Sequence, residues 1–406
     1  MLPFLQLIIV LVIIITAAKI GGYASYRLGQ PAVAGEVLVG LILGPSALNF
    51  LQWPMFTDPH LGETITHLAE LGVLMLLFIA GLGIHISDLV KSGQVATLTG
   101  LLGFVFSLGM GFVLAIAFSF EPREALFFVL LLAPTSISIS AQTLMELRVL
   151  RSRVGVSLLG AAVIDDTLAV LGVSLFFAFF GGESAAGLTS ALLVLLRMVL
   201  YLVLASALGI WLLPRLSQFV NKLPISQGLI AFTFITVLLY AWTAEVLGSM
   251  ATIIGAFLAG LFFSRSPLKE HIERGFSPLT YGVFVPIFFI NVGLSADMRQ
   301  FSTSSLGLLA AMCLVVIISK VAGAGLAGRL GDLADQESLQ LGLGMLPRGE
   351  VTLIIATVGI AEGFISTDIF STAVGLVIVT TLLTPPVLRR AFAGVAPPDF
   401  SMQKSS

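Results

Sequence analysis

The stretch Ala161-Ala162-Val163-Ile164-Asp165-Asp166-Thr167 places two adjacent carboxylates in the middle of an apolar run. The run extends from Val154 to Phe180 and carries no other charge. Its length and apolarity predict a membrane-spanning helix. An ionised carboxylate at the bilayer centre costs ~2.5–3.5 kcal/mol on insertion scales, and charges at this depth usually serve a function. The aspartate pair is therefore the first candidate for an ion-binding and proton-binding site.

The composition of the whole chain agrees with a membrane location. Its 406 residues are 57% hydrophobic and 10% charged, with a mean hydropathy of +1.07. Soluble globular domains carry about 25% charged residues, so this chain is predicted to be an all-α polytopic membrane protein. The net charge of -2 gives no indication of a nucleic-acid partner. A single cysteine, Cys313, excludes an intrachain disulfide.

Hydropathy divides the chain into thirteen apolar segments, separated by short polar loops. They cover about residues 2–20, 31–50, 64–84, 93–118, 125–146, 152–180, 188–213, 225–245, 249–264, 276–294, 304–328, 338–361 and 366–388. We expect one transmembrane domain over residues 1–400 and a short cytoplasmic tail at 401–406. An odd number of spans predicts that the two termini lie on opposite sides of the membrane.

Lysine and arginine are distributed unequally between the two sets of loops. One set contains Arg27, Lys91, Arg148, Arg151, Arg153, Arg215, Lys222, Arg265, Lys269, Arg274, Arg329, Arg389, Arg390 and Lys404. The other set contains only Arg123 and Arg299. Because cytoplasmic loops carry the excess of basic residues, the C-terminus is predicted to be cytoplasmic and the N-terminus outside. The predicted location is the inner membrane of the cell, with the lipid bilayer as solvent.

Three further charges fall inside predicted spans: Lys320, Arg348 and Glu350. Ionisable residues at this depth need a partner, so we expect Lys320 to pair with an aspartate. Arg348 is expected to pair with Glu350 or with a carboxylate on the cytoplasmic side. Consecutive helix positions point about 100° apart, so one aspartate can face Lys320 while the other faces a water-filled cavity.

Two adjacent carboxylates titrate as a coupled group that can hold either a proton or a hard cation such as Na+. Exchange follows when both ions compete for one site that opens to one side at a time. The alternative is a structural ion pair that holds helices together. The second aspartate weakens that alternative, because in such a pair it would only add repulsion.

Two predicted spans are interrupted by proline. The fifth contains Pro134-Thr135-Ser136 and the twelfth contains Pro347-Arg348-Gly349. Proline removes a backbone donor, and interrupted helices in corresponding places of two halves indicate a transport site at the midplane. Segments 4–6 and 11–13 are therefore predicted to be inverted triplets. They would form an ion-binding core at about residues 93–180 and 304–388, with the remaining helices as a scaffold.

Several stretches of the sequence match one known family, in its order, over about residues 25 to 390. They are Gly29-Gln30-Pro31, Gly35-Glu36, Gly44-Pro45, Leu71 to Leu82, Thr135-Ser136, Ile164-Asp165-Asp166, Gly255 to Gly260, Pro286 to Gly293, Lys320 and Pro347-Arg348-Gly349-Glu350. In these motifs the chain resembles the bacterial sodium/proton antiporters of the second monovalent cation:proton antiporter family. The resemblance implies an NhaA-like fold of thirteen helices, in which a core moves against the dimerisation domain of a homodimer.

The resemblance also implies roles for individual residues. Asp166 would be the main ligand for Na+ and the proton, Asp165 would pair with Lys320, and Thr135 and Ser136 would belong to the unwound helix at the site. An aspartate pair with a lysine is similar to the electrogenic sodium/proton subgroup. The family's potassium-efflux members typically carry Gln-Asp at the pair and a nucleotide-binding domain, and this chain has neither feature.

The expected function is secondary antiport of Na+ (or Li+ or K+) against protons, with no enzymatic activity and no cofactor. A K+/H+ antiporter is the nearest alternative. A cation channel with a carboxylate selectivity ring is a second alternative. An intramembrane aspartyl protease is a third. The protease is disfavoured because the two aspartates of a catalytic dyad should come from different helices.

Overall fold

The computed structural model describes residues 2–180, 187–295, 299 and 303–393. Eighteen α-helices run through these ranges, and no strand occurs in them. They are α1 Pro3–Arg27, α2 Ala32–Leu43, α3 Leu61–Gly83, α4 Ile86–Lys91, α5 Gly93–Ala117, α6 Pro122–Leu131, α7 Ile137–Glu146, α8 Arg153–Phe180, α9 Gly187–Trp211, α10 Leu213–Asn221, α11 Gly228–Val246, α12 Thr252–Phe263, α13 Lys269–Leu279, α14 Val285–Leu294, α15 Thr303–Leu330, α16 Asp335–Gly344, α17 Glu350–Ala361 and α18 Thr367–Ala391.

The described helices follow the thirteen predicted segments in order, which confirms the all-α polytopic class. Nine helical stretches in the described ranges are long and apolar enough to cross a membrane. The fifth and twelfth segments are each split into two short helices, α6 with α7 and α16 with α17. The predicted tail at 401–406 lies outside the described residues.

Three segments differ clearly from their predicted bounds. The first, predicted to end near residue 20, continues as α1 to Arg27. The second, predicted to extend to residue 50, ends at Leu43, before Gly44-Pro45, where proline lacks the backbone donor that would continue the helix. At 12 residues α2 is about 18 Å long, shorter than a typical ~30 Å hydrocarbon core. The tenth begins at Lys269 rather than near 276, because α13 continues through a π-helical turn at Thr280–Phe284 into α14.

The helices pack in two main sets of contacts. In one set, α5 packs against α8 and α15, and α15 also contacts α16 and α18. In the other, α2 lies between α1 and α14, while α3 packs against α12 and α14. The two half-helix pairs α6–α7 and α16–α17 lie with the first set, so both breaks lie close to α8 and α15. These are the helices that carry the aspartate pair and Lys320.

The glycine-rich stretch of α12 packs directly on α3. A Cβ atom at Gly260 would lie 2.0 Å from the carbonyl oxygen of Phe78, and one at Gly81 would lie 2.2 Å from that of Phe257. Glycine at both positions therefore lets the two backbones touch, as in close helix crossings within membranes.

Candidate ion-binding site

The two helix breaks meet in the interior of the protein. The first break separates α6 from α7 at residues 132–136, and the second separates α16 from α17 at 345–349. The backbone N–H of Ser136 donates to the carbonyl oxygen of Pro347 at 2.7 Å, which joins the two breaks directly. Backbone without helical hydrogen bonds is tolerated at membrane depth only where protein or a cavity satisfies it. Here the first break finds a backbone hydrogen-bond partner in the second.

The half-helices bring four helix ends to this crossing. α6 and α16 end here, whereas α7 and α17 begin here. The C-terminal ends carry partial negative charge and unsatisfied carbonyl groups. The Lys320 Nζ donates to the carbonyl oxygen of Ala133 at 2.8 Å, and Arg348 Nη1 donates to that of Pro134 at 2.8 Å. Two cationic side chains therefore stabilise the end of α6.

Asp165 forms the centre of a buried hydrogen-bond network. The Lys320 Nζ lies 2.7 Å from Asp165 Oδ2 and 2.9 Å from Oδ1, and both side chains are excluded from solvent. The Thr135 hydroxyl donates to Asp165 Oδ2 at 2.6 Å, and Arg348 Nη1 donates to the Thr135 oxygen at 3.1 Å. Both Asp165 oxygens therefore accept hydrogen bonds. Such a network is strong because its bonds are charge-assisted and the surroundings are dry.

Asp166 is the next residue on α8 and is also buried, at 1% exposure. Its carboxylate lies within electrostatic range of both Lys320 and Arg348. Two carboxylates therefore share the crossing with two cations. In this low-dielectric setting each charge depends strongly on the others, so that adding or removing one ion changes the balance of the whole cluster.

The described contacts of Arg348 link the two helix breaks. The sequence suggested Glu350 or a cytoplasmic-side carboxylate as its partner, and the Glu350 side chain lies outside the described residues. The contacts that the structure describes run to the first break, through Pro134 and Thr135. Arg348 is fully buried. Its guanidinium therefore connects the second break to the network around Asp165.

Hydroxyl groups from α7 and α18 complete the polar lining of the crossing. The Ser136 and Ser138 hydroxyls lie 3.1 Å apart, and Ser140 donates to the carbonyl oxygen of Gly344 at 2.5 Å. On α18, Thr380 accepts from the Arg348 backbone N–H at 3.0 Å, and Thr381 donates to the Arg348 carbonyl at 3.3 Å. The two threonines were not predicted from the sequence, although a Thr380-Thr381 pair inside an apolar span was a usable signal.

The chain is similar to known proteins over nearly its whole length. Residues 9–393 match the family model described as "Sodium/hydrogen exchanger, transmembrane". A Na+/H+ antiporter of Enterococcus hirae is 34% identical over 385 residues, which cover 95% of this chain and 98% of the relative. GerN of Bacillus cereus, named a Na+/H+-K+ antiporter, is 32% identical over 380 residues, 94% of this chain and 95% of its own.

A solved structure shares the fold. The sodium proton antiporter MjNhaP1 of Methanocaldococcus jannaschii at pH 8 aligns with a TM-score of 0.69 over 97% of this chain and 98% of that one. Its sequence is 18% identical, so the similarity is one of fold. The overall architecture described above is thus that of a known antiporter.

Proposed function

The chain belongs to the family of transmembrane sodium/hydrogen exchangers, and we propose that it exchanges Na+ for protons at a site centred on Asp166. The observation that carries this proposal is the network around Asp165. Lys320 and Thr135 donate hydrogen bonds to Asp165, so both Asp165 oxygens are already engaged within the protein. We assign uptake of the transported ion to the adjacent Asp166, which is buried within electrostatic range of both Lys320 and Arg348.

In this mechanism Na+ and H+ bind alternately to Asp166. Na+ prefers oxygen ligands, which the carboxylate and the hydroxyl-lined breaks at Thr135 and Ser136 supply. Alkali cations bind only the deprotonated carboxylate. Cation binding therefore releases a proton, and protonation releases the cation. Transport follows when the loaded site opens to one side at a time.

Electrogenic exchange is part of the same proposal. Charge moves when more than one proton crosses for each Na+. At the crossing Lys320 contacts Asp165 and lies within electrostatic range of Asp166, so that the cluster has more than one group able to carry a proton. The Asp165–Lys320 pair is the second carrier in this scheme.

The moving part is proposed to be the core of residues 93–180 and 304–388, which includes α5–α8 and α15–α18. The remaining helices would be the scaffold and the contact surface of a homodimer. The proposed orientation follows from the basic loops, which we place in the cytoplasm. The N-terminus is then outside, the C-terminus is in the cytoplasm, and the protein lies in the inner membrane. Packing of α5 on α8 and α15 supports movement of the core as one body.

A second candidate is exchange of K+ for protons at the same site. It is favoured by the 32% identical relative GerN, whose name includes K+ as well as Na+. Selectivity between Na+, Li+ and K+ depends on how closely the oxygens of the site can approach the ion.

The proposal is tested with the purified full chain in liposomes that carry an imposed pH gradient. Adding Na+ is expected to release protons from the vesicles, as measured with a pH-sensitive dye, and Li+ and K+ are tested in parallel. Clamping the membrane potential with a K+ ionophore should accelerate an electrogenic exchanger. Currents of single channels, or a pH gradient that no cation changes, would contradict the proposal.

A further inference from the structure

A second group of buried carboxylates lies away from the crossing, where α7 meets α2. Glu146 is the last residue of α7, and Glu36 lies in the N-terminal half of α2. Glu36 is 7% exposed, and its carboxylate is within electrostatic range of Glu146. The two acids therefore come from a helix of the proposed core and a helix of the proposed scaffold.

Hydrogen bonds fix Glu146 at this junction. Its Oε2 accepts from the backbone N–H of Ala32 at 2.7 Å, at the start of α2. Its Oε1 accepts from the Gln142 Nε2 at 2.9 Å. The carboxylate is thus held by the N-terminus of α2 and by an amide one turn earlier on its own helix.

Both basic and acidic side chains lie within electrostatic range of this junction. Lys19 on α1 lies within electrostatic range of Glu36. Its Nζ donates a hydrogen bond to the carbonyl oxygen of Tyr281 at 2.7 Å. Glu273 is another acid within electrostatic range of Tyr281. Because burial disfavours an ionised carboxylate, Glu36 and Glu146 carry negative charge together only where a cation compensates it.

Gln142 supplies an independent sign of a ligand. Its side chain is 8% exposed, and its Oε1 has no hydrogen-bond partner among the described residues. An unsatisfied buried acceptor costs about 1–3 kcal/mol. Because the amide nitrogen is held by Glu146, the orientation of the amide is fixed and its oxygen remains available next to the carboxylate.

The position along α7 connects this group to the crossing. Ser138, Gln142 and Glu146 are spaced by four residues, so they lie on one face of the helix. Ser136 at the break and Glu146 at the other end are separated by about 15 Å along the axis. Arg148, Arg151 and Arg153 follow directly, so this end of α7 is the cytoplasmic one in the proposed orientation.

We propose that Glu36, Glu146 and the Gln142 amide oxygen form a second binding site for an alkali cation, on the cytoplasmic route to Asp166. Carboxylate and amide oxygens are the ligands that hard cations prefer. The site would raise the local cation concentration at the entrance of the route. This inference rests on the proposed exchange function, because a loading site has meaning only if cations proceed to the crossing.

Equilibrium binding of radioactive Na+ to the full chain in detergent tests the site directly. The Asp166→Asn variant removes the proposed central ligand and should retain saturable Na+ binding. Adding Glu36→Gln or Glu146→Gln to it should weaken that binding at least about tenfold, since each removes one negative charge. Adding Glu362→Gln, an exposed acid at the end of α17, is the matched control and should leave binding unchanged.

Absence of saturable Na+ binding in Asp166→Asn, or binding that neither glutamate change weakens, would overturn the second site. Glutamine retains an oxygen that can accept from Ala32, so Glu146→Gln should fold, and Glu36→Gln provides an independent variant. Thermal unfolding checks each protein. If Asp166→Asn still exchanges Na+ for protons, the proposed role of Asp166 in exchange fails. The binding measurement tests the second site separately from that transport result.

Discussion

Replacing Asp166 by asparagine is expected to abolish Na+-dependent proton exchange. Asparagine has nearly the same shape and keeps one oxygen, but it has no negative charge and no proton to exchange. Losing a charged ligand worth about 3 kcal/mol lowers occupancy of the site about 100-fold. The loss of the titrating group removes proton coupling altogether, so the exchange rate should fall at least that far. Proton release from pH-loaded liposomes on addition of Na+ measures the effect.

Asp368→Asn is the matched control for this change. It makes the same chemical substitution at an exposed position in the first turn of α18, away from the crossing. Its exchange rate should stay within about twofold of the unmodified protein, because surface substitutions usually change stability by less than ~0.5 kcal/mol. Exchange by Asp166→Asn at the rate of this control would remove Asp166 from the mechanism.

The second large effect concerns the Asp165–Lys320 pair. Asp165→Asn leaves the Lys320 ammonium buried, at 1% exposure, without its counter-charge. Removing one partner of a buried ion pair typically costs about 3–5 kcal/mol, whereas removing both charges is close to neutral. The single variant should therefore unfold at a clearly lower temperature in detergent, and the double variant Asp165→Asn/Lys320→Met should recover most of the loss.

A thermal melt of all four proteins, including Lys320→Met alone, gives the coupling between the two side chains. Additive shifts would show that the pair does not interact energetically.

A transport measurement separates the proposed proton-carrying role from stability. In Lys320→Gln the transported charge or its pH dependence should change, which a merely structural lysine would not cause. An unaltered profile would exclude Lys320 from the coupling.

Hydropathy and proline positions were sufficient to predict much of this fold. Apolar runs of about 20 residues leave few choices other than spanning helices, so the thirteen segments and their order follow from the sequence. Pro134 and Pro347 predicted both breaks, because proline cannot continue a helical hydrogen-bond ladder. The extent of α2 was overestimated, since apolarity continues past Gly44-Pro45 although the helix does not.

The contacts at the crossing were less accessible to such reasoning. The sequence suggested that Lys320 meets one of the aspartates, and in the structure it contacts Asp165. The bond from Arg348 to Thr135 joins residues 213 positions apart, and nothing local in either stretch indicates it. Likewise, Thr380 supports the second break from α18, and nothing in either stretch indicates that the two meet. Such contacts depend on how the helices are arranged, which periodicity alone does not specify.

Competition between Na+ and H+ for Asp166 is the claim on which the mechanism depends. The most direct measurement is the initial exchange rate of the reconstituted full chain over a grid of Na+ concentrations and pH values. If one carboxylate holds either ion, acidification should raise the apparent KM for Na+ by roughly tenfold per pH unit in the titrating range, with an unchanged maximal rate. An apparent KM that does not depend on pH, with only the maximal rate altered, would contradict alternate occupation of one site.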